Sequence, residues 1–211
     1  MRGIRRWAQL LVGYVLFGIA CALIIRGGVG NDPWTVFSQG LSVRIGISIG
    51  ILTTLIGLVV LLAWIPLRQR PGLGTVGNIL VVGPFIDVGM LFLPEAPSFW
   101  IGLLMCLGGI ALLALATGLY IGARMGPGPR DGLMTGLHQR FGWPIWAART
   151  SVEVSVLAIG WLLGGTVGLG TLLFAGLVGP LCNIALPLFD LGPVTPKPET
   201  DSAPTERVGT E

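Results

Sequence analysis

Six long runs of apolar residues, separated by short polar segments, dominate this chain. A bilayer hydrocarbon core about 30 Å thick is crossed by roughly 20 apolar residues in helical form. Backbone amides and carbonyls in lipid must be hydrogen-bonded within the protein, so a spanning segment of this length is a helix. The pattern therefore predicts an all-α, polytopic membrane helix bundle with six spans: Trp7–Ile25, Ile47–Ile65, Thr75–Leu93, Phe99–Ile121, Ile145–Leu163 and Thr171–Phe189.

The chain also repeats itself after 96 residues without a gap. Between Leu11 and Pro84, 24 residues are identical to the residue 96 positions later, whereas a composition so rich in glycine and leucine would give about six identities by chance. Each copy holds three spans, and an odd number makes successive copies run in opposite directions across a membrane. We predict two inverted three-helix repeats (3+3 spans), residues 1–93 and 94–189.

Composition places the chain in the membrane class, because 53% of its residues are apolar and 11% are charged. The basic residues lie in short loops rather than on one face, so we expect lipid and not nucleic acid as the partner. The three cysteines lie in separate apolar runs, and His138 is the single histidine of the chain. We therefore expect no disulfide, metal site or cofactor.

The distribution of arginine orients the predicted spans. With the N-terminus inside, the outer side carries only Arg26 and Arg44, as the positive-inside rule requires. This predicts a multi-pass protein of the bacterial cytoplasmic membrane with both termini in the cytoplasm. Residues 190–211 are rich in Pro, Thr, Glu and Asp, and we expect them to form a disordered cytoplasmic tail. The inner side carries Arg2, Arg5, Arg6, Arg68, Arg70, Arg124, Arg130 and Arg140.

A long connection follows the first span of each copy. Each contains a Gly- and Pro-rich segment that leads into a short helix, predicted at Trp34–Val43 and Leu133–Phe141, after Pro33 and Pro129. One hypothesis is that the two short helices are re-entrant half-helices. Their positive N-terminal ends would then face a central path and favour an anion or a polar solute. The alternative is an interfacial helix at the lipid headgroups, anchored by tryptophans such as Trp34.

Charged residues adjoin both prolines. Asp32 precedes Pro33, while Arg130 and Asp131 follow Pro129. All five are candidates for a substrate path, and the alternative for each acid is a local turn or cap acceptor.

One polar position in the third span of each copy is a further candidate. Asp87 lies three residues after Pro84, and its repeat partner Asn183 lies three residues after Pro180. A charge near the bilayer centre costs at least ~2.5 kcal/mol and normally faces a partner or a cavity. Asp87 and Asn183 therefore either form a proton- or cation-coupled site between the copies, or Asp87 is solvated near the outer surface or bonded across the bundle.

Arg149 and Glu153 in the fifth span are four residues apart, which places them on one face of a helix. The two charges can neutralise each other in lipid. The pair is either structural or contacts a substrate or gate.

The Gly-Leu-Gly-Thr segments, Gly72–Thr75 and Gly168–Thr171, are expected to form tight turns in which the threonine caps the following helix. Together with Gly28–Trp34 and Gly126–Met134, they resemble the YczE group of bacterial integral membrane proteins, which is related to the YitT group. The resemblance implies a multi-pass cytoplasmic-membrane protein and supplies no catalytic residues.

The functional hypothesis is a small-solute or ion transporter, or a channel-like protein, of unknown substrate, with a polar path between the repeats. The alternative is a non-transporting membrane scaffold or accessory subunit, and a homo-oligomer stays open in either case. No serine or cysteine has a histidine neighbour at a reactive spacing, so we do not expect an enzyme.

Overall fold

The computed structural model describes residues 2–192, so the predicted tail beyond residue 192 lies outside the described residues. Within residues 2–192 the chain forms eight helices and no strand, which confirms the all-α prediction. The helices are α1 (Arg2–Gly27), α2 (Pro33–Ile45), α3 (Ile49–Ala63), α4 (Leu73–Phe92), α5 (Phe99–Gly122), α6 (Pro129–Phe141), α7 (Ile145–Leu162) and α8 (Leu169–Phe189).

Each of the six predicted spans coincides with one helix, and five are long and apolar enough to cross a membrane: α1, α4, α5, α7 and α8. Helix α3 has 15 residues, which is about 22 Å at 1.5 Å per residue and shorter than the hydrocarbon core. It follows α2 after a short break, and the two helices are bent by 116°. A sixth span is present if this bent pair is taken as one crossing. The chain is a multi-pass helical membrane protein.

The two short helices begin at the prolines themselves, earlier than the sequence pattern predicted for either. Helix α2 begins at Pro33 and α6 at Pro129, because proline lacks the amide that would be unpaired in a first turn. The residues that cap their C-terminal ends are Gly46 and Gly142. The φ angles of these glycines, 78° and 70°, lie in the left-handed region, which favours glycine.

Helices α1 and α5 lie side by side in the core and run antiparallel. A Cβ on Gly13, early in α1, would lie 3.1 Å from the carbonyl oxygen of Ala116, late in α5. A Cβ on Gly27, at the end of α1, would lie 2.7 Å from the carbonyl oxygen of Gly102, near the start of α5. The glycines thus allow the close backbone approach expected of small residues between membrane helices.

This packing is reciprocal under the 96-residue shift. Gly13 lies against Ala116, and their repeat partners Gly109 and Ala20 are paired in the same way, with a Cβ on Gly109 lying 3.0 Å from the Ala20 carbonyl oxygen. Each copy therefore presents the same surface of its first helix to the other copy.

The Gly-Leu-Gly-Thr segments make a second reciprocal contact. The amide of Gly74 donates to the carbonyl of Met125 at 2.9 Å, and the amide of Gly170 donates to the carbonyl of Val29 at 2.8 Å. Each segment therefore holds the long connection of the other copy.

Thr75 and Thr171 are inside their helices rather than at the cap position. Thr75 Oγ1 accepts from the amide of Gly72 and donates to the carbonyl of Pro127 at 2.7 Å. Thr75 therefore links the turn before α4 to the long connection of the other copy.

Candidate functional site

A cavity of about 310 Å³, here called the central cavity, lies where the first turns of α2 and α6 come together between the long helices. This volume is at the lower end of the range for small-molecule sites. Asp87 does not line the cavity. The other eight predicted path residues do: Asp32, Pro33, Pro129, Arg130, Asp131, Arg149, Glu153 and Asn183.

Asp32 is both the cap of α2 and a wall of the cavity. Its residue exposure is 3%, and its Oδ1 accepts from the amides of Trp34 and Thr35 at 3.2 Å each. The predicted alternative of a cap acceptor is thus confirmed for Asp32. In the described part of the chain, its other oxygen, Oδ2, is buried without a hydrogen-bond partner.

Arg130 joins the two short helices. Its Nη1 lies 3.4 Å from Asp32 Oδ1, and its guanidinium lies 5.0 Å from the ring centroid of Trp34, within cation–π range. Trp34 and Arg130 are repeat partners, 96 residues apart. The two equivalent first turns therefore meet each other directly, and Trp34 is buried inside the protein rather than exposed as a headgroup anchor.

Asp131 lies in the first turn of α6, whose cap residue Gly128 has no side-chain oxygen to offer. Asp131 Oδ2 accepts from the hydroxyl of Tyr120 at 3.1 Å. Unlike Asp32, it does not cap its helix and is held by a tyrosine from α5.

Arg149 and Glu153 form the ion pair that their spacing predicted, with Nε and Oε1 3.0 Å apart. The Arg149 side chain is 51% exposed and that of Glu153 is 28% exposed. Since both line the central cavity, this partly accessible pair gives the α7 wall its polar character.

Asp87 lies outside the cavity and joins α3 to α4. Its Oδ2 accepts from the hydroxyl of Ser48 at 2.6 Å, and its Oδ1 accepts from the amide of Gly50 at 2.8 Å. These are the cap residue and a first-turn residue of α3. Asp87 is therefore bonded across the bundle, which is the alternative that the sequence predicted for it. Its repeat partner Asn183 lines the cavity.

We call this contact the α3–α4 seam, formed by Ser48, Gly50, Thr54, Ile79, Gly83 and Asp87. A Cβ on Gly83 would overlap the Gly50 carbonyl oxygen and the Thr54 hydroxyl, and that hydroxyl donates to the Ile79 carbonyl at 3.2 Å. The two helices are in backbone contact along this seam.

The equivalent α7–α8 seam is open. Helix α3 packs along α4, whereas α7 does not pack along α8. A Cβ on Gly179, the partner of Gly83, would meet no atom of another element within 4 Å. Thr150 and Ala175, the partners of the bonded pair Thr54 and Ile79, are both exposed. The central cavity therefore has a closed seam in one repeat and an open one in the other.

Sequence reasoning missed the aromatic part of the cavity. Phe17, Tyr120 and Phe174 line it together with Trp34. In a chain with so many apolar residues, an aromatic inside a span carries no signal that separates a cavity wall from a lipid-facing position.

Three proteins of known sequence are similar to this chain. An uncharacterised protein of Haemophilus influenzae is 42% identical over 177 residues, which cover 84% of this chain and 81% of that protein. The uncharacterised membrane protein YczE of Bacillus subtilis is 30% identical over 184 residues, 86% of each chain. The uncharacterised protein YyaS of the same organism is 28% identical, covering 85% of this chain and 91% of the relative.

No solved structure matches this chain. A model of a family of unknown function, DUF6198, matches residues 4–187. This match extends over all eight helices apart from the first two residues of α1 and the last two of α8. The chain is therefore a membrane protein that belongs to the YczE-like family DUF6198.

Proposed function

We propose that this protein transports a small polar or charged solute across the bacterial cytoplasmic membrane by alternating access. It is a transporter and not an enzyme, and both termini lie in the cytoplasm. The observation that carries the proposal is the central cavity between two related halves, with the α3–α4 seam closed and the equivalent α7–α8 seam open.

Inversion of the two repeats is supported by their contacts. The pairs Gly13–Ala116 and Ala20–Gly109 are reciprocal, and reciprocal contacts are the mark of two units related by a twofold operation. The repeat-equivalent helices α1 and α5 run antiparallel. A twofold axis that makes equivalent spans antiparallel lies in the membrane plane, as in transporters built from inverted repeats.

Alternating access follows from the difference between the two seams. The second repeat keeps Thr150 and Gly179 at the positions of Thr54 and Gly83, and from this we infer a second arrangement in which α7 closes on α8 while α3 parts from α4. Two such states of similar free energy expose one site to opposite sides of the membrane in turn. A channel, in contrast, needs no exchange between seams.

The orientation of the observed state follows from the arginine distribution. The open seam is lined by Arg149, near the start of α7, and by Asn183, towards the end of α8. These helix ends lie on the arginine-rich side, which the positive-inside rule assigns to the cytoplasm. The structure is thus assigned to an inward-facing state.

Cross-linking of the two seams tests the proposal without knowledge of the solute. In a background with Cys21, Cys106 and Cys182 replaced by alanine, one variant carries Thr54→Cys and Ile79→Cys. A matched variant carries Thr150→Cys and Ala175→Cys, the same positions one repeat later. Protein in liposomes is treated with a short bifunctional maleimide, and cross-linking within the chain is read by proteolysis and mass spectrometry.

We expect both pairs to cross-link, the first rapidly and the second slowly, because the α7–α8 seam closes only in the minor state. With both pairs in one chain, cross-linking of one pair should prevent that of the other. A scaffold that does not change state would link only the first pair, and that result overturns the proposal.

A further inference from the structure

Two residues that line the central cavity each carry a buried polar atom without a partner among the described protein groups. Among the described residues, Asp32 Oδ2 and Trp34 Nε1 are both buried without a hydrogen-bond partner, and both residues line the cavity. A buried polar atom without a partner costs about 1–3 kcal/mol, and more when it is charged. An unsatisfied polar atom next to a cavity of this size points to a ligand.

From Asp32 Oδ2 we propose that the solute is a small organic cation, an ammonium compound with N–H donors and an apolar or aromatic body. This inference rests on the proposed transport function and assigns its substrate class. Asp32 Oδ2 receives the N–H donor, because a carboxylate oxygen can only accept hydrogen bonds. A charged donor bonds it about twice as strongly as a neutral one.

Both arginines that line this cavity already face a carboxylate, which disfavours an anion. Arg130 faces the Asp32 carboxylate and the Trp34 ring, and Arg149 is paired with Glu153. The first amides of α2 already donate to Asp32 Oδ1, so the positive end of this helix is neutralised. The anion preference expected of exposed half-helix ends does not extend to a capped end.

The cavity also suits the organic part of such a cation. Its walls include the aromatic rings of Phe17, Trp34, Tyr120 and Phe174. Asp131 adds a second carboxylate, which accepts from the Tyr120 hydroxyl and lies near both Arg130 and Arg149. Aromatic faces and carboxylates together are the usual surroundings of a bound ammonium group.

The test uses three probes of one shape with purified full-length protein. Benzylammonium carries a charged donor, benzyl alcohol a neutral donor, and benzoate only acceptors at neutral pH. Binding is measured as a saturable rise in melting temperature and by calorimetry, since a ligand that binds only the native state raises its stability. We expect benzylammonium to bind at least tenfold more tightly than either other probe.

Asp32→Asn is the main variant, because asparagine is as good a helix cap as aspartate and removes only the charge. We expect it to weaken benzylammonium binding by about ten- to a hundredfold. Asp131→Asn is a second variant that keeps an acceptor for Tyr120, with a smaller expected loss. Glu95→Gln is the matched control, since this carboxylate is 82% exposed and bound to Arg26 outside the cavity.

Tighter binding of benzoate or benzyl alcohol than of benzylammonium would overturn the cation assignment. So would benzylammonium binding that Asp32→Asn and Asp131→Asn leave unchanged, or no binding of any probe to folded protein. In each of these cases the seam cross-linking still decides whether the protein alternates between two states, so the substrate class and the transport proposal fail separately.

Discussion

Asp32 and Asp87 are both carboxylates in a largely apolar chain, and their surroundings give them different roles. Asp87 uses both oxygens to hold Ser48 and Gly50 at the α3–α4 seam. Asp32 uses one oxygen for the α2 cap, and its other oxygen is buried without a partner among the described residues. Sequence placed Asp87 among the candidates because a charge is expensive in lipid, and Asp32 because it precedes Pro33 at the start of a short helix. Asp87 has no free carboxylate oxygen because Ser48 and Gly50, which are distant in sequence, donate to both of its oxygens.

Asp190 gives a residue-scale prediction about pH. It lies just after α8 and binds Arg124, just after α5, with Nε and Oδ1 2.9 Å apart. This contact lowers the pKa of Asp190 from 3.8 to about 2. Because the folded pKa is below the unfolded one, the pair stabilises the protein fully above about pH 4, and this contribution is lost as the pH falls towards 2.

Wild type should therefore melt above Asp190→Asn by a constant margin from about pH 5 to 8, and the margin should shrink between about pH 4 and 2. Melting temperatures of detergent-purified protein measure this. In an Arg124→Gln background, Asp190→Asn should have little further effect. A margin that stays constant down to pH 2, or one that survives Arg124→Gln, would contradict the pairing.

At the scale of elements, the repeated helices are the same but their packing is not. Gly83 in α4 lies against Gly50 and Thr54, whereas its partner Gly179 in α8 has no neighbour within 4 Å. Both glycines are followed by proline. Gly83 nevertheless lies in a closed contact between helices, whereas Gly179 faces an open gap.

The matched variants Gly83→Ala and Gly179→Ala should separate these two environments. Gly83→Ala forces the α3–α4 seam apart and should lower the free energy of unfolding by about 1–3 kcal/mol. Gly179→Ala should be neutral, or stabilising by up to about 1 kcal/mol, because alanine is the better helix former and the space is open. Thermal and denaturant unfolding in detergent measure both changes.

Gly179→Ala has a second expected effect under the transport proposal. In the closed α7–α8 seam, a methyl group at position 179 would meet the atoms equivalent to those around Gly83, so closure should become rarer. Cross-linking of Thr150→Cys with Ala175→Cys should slow at least about tenfold, which corresponds to a cost of about 1.4 kcal/mol. Equal cross-linking rates with and without Gly179→Ala would contradict closure of this seam.

At the scale of the whole molecule, the reciprocal contacts tie the two copies into one unit. The amides of Gly74 and Gly170 each donate to the connection of the other copy, and Trp34 stacks with its own repeat partner Arg130. Residues that touch their own repeat partners lie on the axis that relates the copies. The central cavity is built from residues of both copies.

Site-specific labelling tests the inversion. The turn between α3 and α4 and the equivalent turn between α7 and α8 should lie on opposite faces of the membrane. In the cysteine-free background, Arg70→Cys and Val167→Cys place one thiol in each turn, and both native residues are exposed. An impermeant maleimide applied to intact cells should label Val167→Cys at once and Arg70→Cys only after the membrane is opened.

The control for this experiment is labelling of both variants after solubilisation, which shows that each thiol is reactive. Labelling of both from the same face, with equal reactivity in detergent, would mean that the copies point the same way. The inverted arrangement and the alternating access built on it would then be wrong.

The sequence by itself determined the helices, the 96-residue repeat, the short helices next to Pro33 and Pro129, and the pairing of Arg149 with Glu153. These features depend on local preferences, on the apolar length needed in a membrane, and on the spacing of residues along one helix. They also led to nine candidate path residues, of which eight line the central cavity, because polar residues in a span and charges next to the helix-starting prolines need a partner or a cavity.

Only the tertiary structure decided which polar residues come together and which seam is closed. The Gly-Pro sequence at Gly83 and Gly179 is the same in both copies, so it does not by itself distinguish the contact at Gly83 from the gap at Gly179. The place of Asp87 depends on Ser48, 39 residues earlier, and that of Trp34 on Arg130, 96 residues later. Such contacts arise from the packing of distant helices, which apolar periodicity in lipid does not encode.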